Sequence, residues 1–323
     1  MPTRLPRRML LGAAAAAALA APALAAWPER SLRFVVPFGA GGPLDALARL
    51  MALPMSEDLG QSVVVDNKTG AGGAIGCAEV ARSAPDGYTA LMAGVNMPVI
   101  PLMQRNPPYR MEEFAPLSRL AVIPHVFVVP PTVPATNMRE FVAYAKANPG
   151  RLSFASFGVS TSNHFAGELL NIQAGLDLTH VPYRGGAAAI ADLLAGRVTC
   201  MFSTLPDALA FIREGRLKAL GAVLPERLRW LPDLPTLAEQ GLPDVVSESA
   251  FGLLVPVATP AEIQQRLGDA ARRALQGAPM RDRLEQLGMI PIGSSGSEFA
   301  ALIQRDIRLF SDIIRRTGMT SLD

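Results

Sequence analysis

Residues 32–53 read LRFVVPFGAGGPLDALARLMAL, and this stretch decides the fold. The apolar run from Leu32 to Phe38 predicts a buried strand. Residues 39–42 predict a glycine-rich turn, and Pro43 stands where the first residue of a helix is expected. The start of a helix carries unpaired N–H groups and about half a positive charge, so this junction favours the binding of an anion.

A second junction of the same kind lies further along the chain. Leu152 to Phe157 predicts a short strand, and Asn163 to Ala174 predicts a helix. The polar turn between them offers Ser160 or Thr161 as the N-cap. Two such helix starts suggest two lobes that face one small anionic ligand. The alternative is that each junction is an ordinary connection between a strand and a helix.

The N-terminal segment, residues 1–26, has the features of a signal peptide. Arginines precede an apolar run over residues 9–21, and Ala23-Leu24-Ala25 is a cleavage site of the A-x-A type. The pair Arg7-Arg8 resembles a twin-arginine signal, but Pro6 precedes it, which favours the general secretory route. We therefore expect a periplasmic protein that begins at residue 26 or 27.

The composition excludes several classes of partner. Without the three arginines of the leader, the chain has 27 basic and 28 acidic residues, which argues against nucleic acid or anionic membrane as a partner. The histidines His125, His164 and His180 have no metal-ligand spacing, so we expect neither a metal nor another cofactor. Cys77 and Cys200 are expected to be buried apolar residues rather than a disulfide. We expect the mature protein to be a soluble monomer.

The order of the predicted elements is that of two parallel sheets. Residues 32–93 alternate strand and helix, and Asn96 follows the carboxyl end of the third strand, where ligands bind in such sheets. Residues 97–116 are expected to be irregular. Leu117 to Pro130 predicts a strand that crosses between lobes, broken at Pro124, and Leu217 to Leu224 predicts a strand that could cross back.

A search for catalytic motifs argues against an enzyme. Neither glycine-rich turn of the first 80 residues completes a dinucleotide-binding pattern with an acidic residue after the next strand. Residues 158–162, GVSTS, lack the closing glycine of a G-x-S-x-G motif, and His164 is too close in sequence to Ser160 to be a positioned base. Asp45 and Asp207 are candidate catalytic carboxylates, although such residues more often cap a helix or brace a loop.

Six segments together resemble the Bug family of extracytoplasmic receptors of tripartite tricarboxylate transporters, the TctC-like proteins. In chain order they are WPERSLRFVVPFGAGGPLDALARLMA, VVVDNKTGAGGAIG, APDGYTALMAG, ASFGVSTSNHFAGELL, THVPYRGGAAAIADLLAGRV and LPDLPTLAEQGLP. The similarity covers nearly the whole chain after the leader, in the same order. One of these motifs alone would be weak, whereas the series is specific.

The resemblance implies an α/β fold of the type II periplasmic-binding-protein kind, with two α/β lobes joined by crossing strands and a ligand cleft between them. It implies that residues 27–126 and 226–323 form a discontinuous first lobe and that residues 127–225 form the second. It also implies that the two junction loops grip a small carboxylate. The candidate ligand-binding residues are Phe38, Gly39, Ala40, Gly41, Gly42, Asp45, Asn96, Ser156, Gly158, Ser160, Thr161, His164, Ser203 and Asp207.

Some residues depart from the family pattern at positions that shape the pocket. Pro43-Leu44 stands where hydroxyl residues are frequent, and Ser160 stands where the family has glycine. Other departures are Thr199, Ser203, Thr204 and Ala250. They leave the ligand open, whether a di- or tricarboxylate, an amino acid or an aromatic acid.

The resemblance implies a receptor that delivers a small organic carboxylate to the membrane components of a tripartite tricarboxylate transporter. We keep two alternatives. One is a secreted α/β enzyme that acts on an organic acid, and the other is a periplasmic sensor subunit of a signalling system. Turnover assays would identify the enzyme, and capture of membrane partners would identify the sensor.

Overall fold

The computed structural model describes residues 27–94, 97–159, 161–183, 185–245 and 247–318. The strands of this part of the chain are β1 (Leu32–Val36), β2 (Val63–Asn67), β3 (Thr89–Ala93), β4 (Phe114–Val129), β5 (Ser153–Ser156), β6 (Thr179–Pro182), β7 (Cys200–Thr204), β8 (Lys218–Ala222), β9 (Glu248–Pro256) and β10 (Ile290–Pro291). The helices are α1 (Pro43–Leu59), α2 (Ala74–Ala81), α3 (Ile100–Met103), α4 (Met138–Lys146), α5 (Ser162–Ala174), α6 (Gly186–Leu194), α7 (Leu205–Arg213), α8 (Ala261–Gln276), α9 (Ala278–Gln286) and α10 (Gly296–Thr317).

The strands form one path in the order β2-β1-β3-β9-β4-β7-β5-β6, with β8 and β10 also paired to β4. The pairs β1–β2, β1–β3, β5–β6 and β5–β7 are parallel, as the alternation of strands and helices predicted. The strand β4 joins the two halves. Its residues 114–124 pair with β9, and its residues 125–128 pair with β7.

Three predictions about this region were wrong in part. Pro124 does not break β4, because it stands where the ladder with β9 ends and the ladder with β7 begins. The strand predicted at 217–224 does not cross back. It pairs with residues 126–129 of β4, and the chain returns through the segment that leads to β9. Residues 97–116 contain the short helix α3, a 3-10 turn at Met111–Glu113 and the start of β4.

The core of each half lies on both faces of its sheet, because alternate strand residues point to opposite faces. In the first half, Phe34 faces α1 and α8, whereas Val35 faces α2 and α10. In the second half, the ring of Phe127 packs against Phe141 at 4.8 Å and against Phe202 at 4.9 Å between centroids. Burial of each such side chain contributes about 1.5–3 kcal/mol, so these clusters fix the positions of the strand ends.

The crossing is the point in β4, at residues 124–125, where the strand passes from one half of the sheet to the other. A smaller apolar cluster joins the two halves on one side of this crossing. It contains Val99 and Phe310 from the first half and Phe165 and Leu169 from α5 in the second. The rings of Phe165 and Phe310 lie 4.7 Å apart between centroids. The two halves are therefore connected by packing as well as by the chain.

The two cysteines are free and buried in different clusters, as the sequence predicted. Burial raises the pKa of the Cys77 thiol to about 12 and raises that of Cys200 further. Within the described residues, no helix combines the length and the apolar character needed to cross a membrane.

Candidate functional site

The carboxyl ends of the parallel strands of both halves point toward the crossing of β4. Strands β3 and β4 are both antiparallel to β9, so they run in the same direction. Strand β7 is antiparallel to β4, and its last residue, Thr204, is paired with His125. The strands β1 and β3 therefore run toward β5 and β7. The loops that follow them open toward the same region, which is where α/β sheets bind ligands.

The first loop, residues 38–42 between β1 and α1, is fixed by hydrogen bonds to the buried carboxylate of Asp45. It accepts hydrogen bonds from the Gly41 N–H at 2.9 Å, from Arg49 Nε at 2.9 Å and from Asn67 Nδ2 at 3.0 Å. The bond from Arg49 is the main cause that lowers the pKa of Asp45 to about 2. Asp45 therefore braces the loop, which is one of the roles that the sequence left open for it.

The backbone of the first loop faces solvent. Residues 39–41 are exposed, Phe38 and Gly42 are partly exposed, and Gly41 has a φ of 85°, which favours glycine. Helix α1 starts after its N-cap residue Gly42, with Pro43 in its first turn. Glycine has no side chain, so no N-cap side chain accepts a hydrogen bond from the first turn. The positive end of α1 is thus available to an anion.

In the second loop, which connects β5 to α5, hydroxyl groups form hydrogen bonds within the loop. Thr161 is the N-cap of α5, as predicted, but its side chain does not cap the helix. Its Oγ1 lies 2.6 Å from the Gly158 carbonyl oxygen and 2.5 Å from Asn163 Oδ1, so the hydroxyl bonds within the loop. Ser156 is fully buried and also contacts Gly158. The side chain of Thr161 therefore shapes the loop and leaves the start of α5 open.

The histidines that the sequence described as scattered are partly brought together. His164 and His180 stack with ring centroids 3.8 Å apart and an interplanar angle of 17°, and His180 also stacks on Phe154. Burial and the neighbouring His180 together lower the pKa of His164 to about 3, and burial lowers that of His180 to about 4. Both imidazoles are neutral near pH 7. His164 is buried, so direct contact with a ligand stays a prediction for it.

A third part of the site follows β7. Ser203 is fully buried, and its hydroxyl donates to the Thr204 carbonyl at 3.2 Å. Asp207 is exposed at the start of α7 and accepts a hydrogen bond from Thr204 Oγ1 at 2.6 Å. A Cβ added to Gly186 would lie 2.7 Å from the Asp207 carboxylate and 3.1 Å from the Phe157 ring. The second loop and the starts of α6 and α7 therefore meet at one edge.

Two predicted site residues, Asn96 and Ser160, and the predicted signal peptide lie outside the described residues. The structure brings the other predicted residues into two groups, one at the start of α1 and one at the starts of α5 and α7. Direct ligand contact by any of them stays a prediction.

Sequence reasoning missed a buried hydrogen-bonded network at the crossing. His125 Nδ1 lies 2.7 Å from Ser247 Oγ, and its Nε2 lies 3.1 Å from Ser249 Oγ. The Ser247 hydroxyl donates to the carbonyl of Ser162, the first residue of α5, at 3.0 Å. Because 122 residues separate His125 from Ser247, no local motif could have indicated this contact.

A cavity of about 270 Å³ lies beside the crossing, between α5 and α10. Its lining includes Phe165 and Phe310 together with the charged side chains of Glu248, Arg305 and Asp306. Burial raises the pKa of Glu248 and of Asp306. The lining includes Ser162 of α5, but none of the candidate ligand-binding residues.

The model of the TctC family, the tripartite tricarboxylate transporter family receptors, matches residues 47–319. The chain belongs to this family. It is 37% identical over 313 residues to a UPF0065 protein of Pseudomonas sp. strain P51, encoded in the tcbD-tcbE intergenic region; the match covers 95% of this chain and 93% of that protein. It is 33% identical over 308 residues to the protein BugT of Bordetella pertussis, with 94% of each chain covered.

Solved structures agree with this assignment. The periplasmic binding protein BugD is 31% identical, with a TM-score of 0.75 over 91% of this chain and 100% of BugD. Rpa4515 of R. palustris with adipate is 30% identical, with a TM-score of 0.78 over 92% of this chain and 100% of that chain. MatC of Rhodopseudomonas palustris with bound malate is 32% identical, with a TM-score of 0.74 over 89% of this chain and 100% of that chain.

These likenesses confirm the predicted fold and family. The TctC-family chain has the mixed α/β fold of periplasmic binding proteins. It is a solute-binding protein of a transporter family and not an enzyme, so the enzymatic alternative is excluded.

Proposed function

We propose that this TctC-family protein is an extracytoplasmic receptor that binds a small organic dicarboxylate between two lobes and delivers it to the membrane components of a tripartite tricarboxylate transporter. One observation carries the proposal. The carboxyl ends of two groups of parallel strands converge on the crossing of β4, and α1 and α5 start there without a side-chain cap. Each start can hold one carboxylate, since each presents unpaired N–H groups and a partial positive charge.

The proposed lobes are residues 27–126 with the chain from β9 onward, and residues 127–225 with the segment that leads to β9, since Leu228, Leu237 and Val245 of that segment pack in the apolar clusters of the second half. In this proposal the backbone of residues 38–42 binds one end of the ligand, and residues 158–161 with the start of α5 bind the other. Asp45, Ser156 and Ser203 hold these loops in shape, and Asn96, His164 and Asp207 complete the walls. Charge-assisted hydrogen bonds from backbone N–H groups contribute about 1.5–3 kcal/mol each, which suits a reversible receptor.

The relatives support a carboxylate ligand, because one holds adipate and another holds malate. The family description supports a transporter as the partner. The periplasmic relatives and the predicted signal peptide support the periplasm as the location. We propose that export removes the leader, so that the mature receptor begins at residue 26 or 27, and that this receptor is a monomer.

Isothermal titration calorimetry of the mature protein tests the proposed ligand class. The panel contains malate, succinate and adipate, each with its monoamide and its diamide as uncharged-end controls. We expect at least one dicarboxylate to bind, and its monoamide to bind at least about tenfold more weakly, which corresponds to about 1.4 kcal/mol. Binding of a diamide as tight as that of its dicarboxylate would contradict the proposal.

Affinity capture from a detergent-solubilised membrane fraction tests the proposed partner. We expect the ligand-loaded receptor to retain the membrane components of a tripartite transporter more strongly than the unliganded receptor. Retention of a signalling protein instead would favour the sensor alternative.

A further inference from the structure

The imidazole of His180 lies directly behind the second loop. His180 of β6 is the Cα partner of Phe154 in β5, and the side chains of residues 154 and 156 share one face of the strand. His180 therefore stacks on the Phe154 ring with centroids 4.9 Å apart, and its Nε2 reaches Ser156 Oγ at 2.6 Å. Both contacts come from strand pairing, so the ring is placed by the sheet and not by the loop.

Ser156 connects His180 to the second loop through hydrogen bonds. Its Oγ accepts the Gly158 N–H at 3.1 Å and lies 3.0 Å from the Gly158 carbonyl oxygen. The same carbonyl oxygen lies 2.6 Å from Thr161 Oγ1, the N-cap of α5. Gly158 has a φ of 133°, a conformation that favours glycine, and its N–H and carbonyl oxygen both contact the Ser156 hydroxyl. One serine hydroxyl holds them.

The single hydroxyl proton of Ser156 decides whether His180 is the donor or the acceptor in the bond between them. A serine hydroxyl has one proton, and Ser156 donates it to the Gly158 carbonyl. With that proton used, the tautomer of His180 that carries a hydrogen on Nε2 gives the 2.6 Å contact its donor. A protonated imidazole would carry the same N–H. His180 is therefore the donor that fixes the orientation of the Ser156 hydroxyl.

The ring of His180 is itself held in place. It lies between Phe154 on one side and His164 of α5 on the other, with 3.8 Å between the two imidazole centroids. His164 is buried in the first turn of α5. The stack therefore connects the sheet, the loop and the start of the helix.

We propose that His180 is a positioning residue for carboxylate binding: its Nε2–H orients Ser156, which holds Gly158 and Thr161 so that the start of α5 faces the ligand. This proposal rests on the proposed function of the loop. It gives His180, to which the sequence analysis assigned no binding role, a role that acts through the protein and not by contact with the ligand.

Two reciprocal variants separate the hydrogen bond from the ring stack. His180→Gln keeps an N–H donor of similar reach and removes the ring, whereas His180→Phe keeps the ring and removes the donor. We expect His180→Phe and Ser156→Ala each to weaken malate or adipate binding by about tenfold and His180→Gln by less than about threefold. The double variant Ser156→Ala with His180→Phe should bind within about threefold of the weaker single variant, because both remove the same link.

Amide hydrogen exchange on the unliganded protein tests the loop without any ligand. His180→Phe should speed exchange at residues 157–162 by at least about tenfold and leave α1 and β1 unchanged, whereas His180→Gln should exchange like the wild type. Wild-type binding or exchange in His180→Phe would overturn the proposal. So would a defect in His180→Gln equal to that in His180→Phe, or additive losses in the double variant. If the wild type binds none of malate, succinate and adipate, the proposed function fails and the exchange data still decide whether His180 positions the loop.

Discussion

The imidazole of His125 and the hydroxyl of Ser247 lie 2.7 Å apart at the point where β4 passes from one half of the sheet to the other. Ser247 donates its one proton to the Ser162 carbonyl at 3.0 Å, and the tautomer of His125 with a hydrogen on Nδ1 gives the shorter contact its donor. His125 Nε2 then accepts from Ser249 at 3.1 Å. Every polar atom of the buried imidazole is paired, and the pairing ties the crossing to the start of α5.

Replacement of Ser247 by Ala should destabilise the protein. It removes the bond to the Ser162 carbonyl and leaves the N–H of the fully buried His125 without its acceptor. A buried unpaired group costs about 1–3 kcal/mol, so we expect a loss of that size in urea denaturation. The matched control is Ser297→Ala on the exposed face of α10, which should change the free energy of unfolding by less than about 0.5 kcal/mol. Equal effects of the two variants would contradict the assigned network.

Stability should fall as the pH is lowered below 6.5, because all three histidines have lowered pKa values. Burial lowers the pKa of His125 to about 3, that of His164 to about 3 and that of His180 to about 4. Between about pH 5 and 6.5 these three histidines therefore bind more protons in the unfolded chain than in the folded one, and each contributes up to about 1.4 kcal/mol per pH unit.

Urea denaturation between about pH 5.5 and 7 measures this slope. His125→Gln should reduce it by up to one proton, because His125 is fully buried and neutral in the folded state. The variant will be less stable at pH 7, but the slope is a separate quantity. A slope unchanged by the substitution would show that His125 takes up its proton equally in both states.

Asp45→Asn should weaken ligand binding although it removes a negative charge near the proposed anion site. The carboxylate holds Gly41 and Arg49, and an amide nitrogen in its place would face an N–H donor. We expect about a tenfold loss of carboxylate affinity by calorimetry. An increase in affinity would mean that the charge of Asp45 repels the ligand and that its bracing of the loop is unimportant.

Asp45→Asn should also change how the stability of the protein depends on pH below about 4. The pKa of Asp45 is lowered to about 2, mainly by Arg49, so its contribution to stability is present above about pH 4 and is lost as the pH falls toward 2. Asp45→Asn should therefore lose less stability than the wild type between about pH 4 and 2. Parallel pH profiles for the two proteins would contradict the lowered pKa.

Much of this fold could be predicted from local patterns. The apolar run before Gly39, the glycine turn and Pro43 correctly predicted β1 and α1, because a strand, a turn and a helix start each have a residue signature within a few positions. The partner of a strand has no such signature. This is why the strand at 217–224 was expected to cross back, whereas it pairs with β4.

The candidate site could be predicted only in part for the same reason. The two loops were predicted from their glycines and hydroxyl residues. The contact between His180 and Ser156 depends on the pairing of β5 with β6, and the network around Ser247 depends on the return of the chain to the crossing. Distances of this kind are set by tertiary packing, which spacing along one sequence does not contain.

The ligand should draw the two proposed lobes together. The strand β4 and the segment that leads to β9 connect the halves, and rotation about such connecting segments closes a cleft between two lobes. Small-angle scattering should give a smaller radius of gyration with a saturating dicarboxylate than without it. The control is the corresponding diamide, which should leave the radius unchanged. An unchanged radius at saturation would contradict closure.

The central claim is that one dicarboxylate is held by the starts of both α1 and α5. The most direct measurement is the change of amide ¹H–¹⁵N resonances on titration of the mature protein with a dicarboxylate that binds. We predict that the largest changes fall together on residues 39–46 and on residues 158–165, with equal apparent affinities. Changes confined to one of these segments, or centred on the cavity between α5 and α10, would contradict the claim.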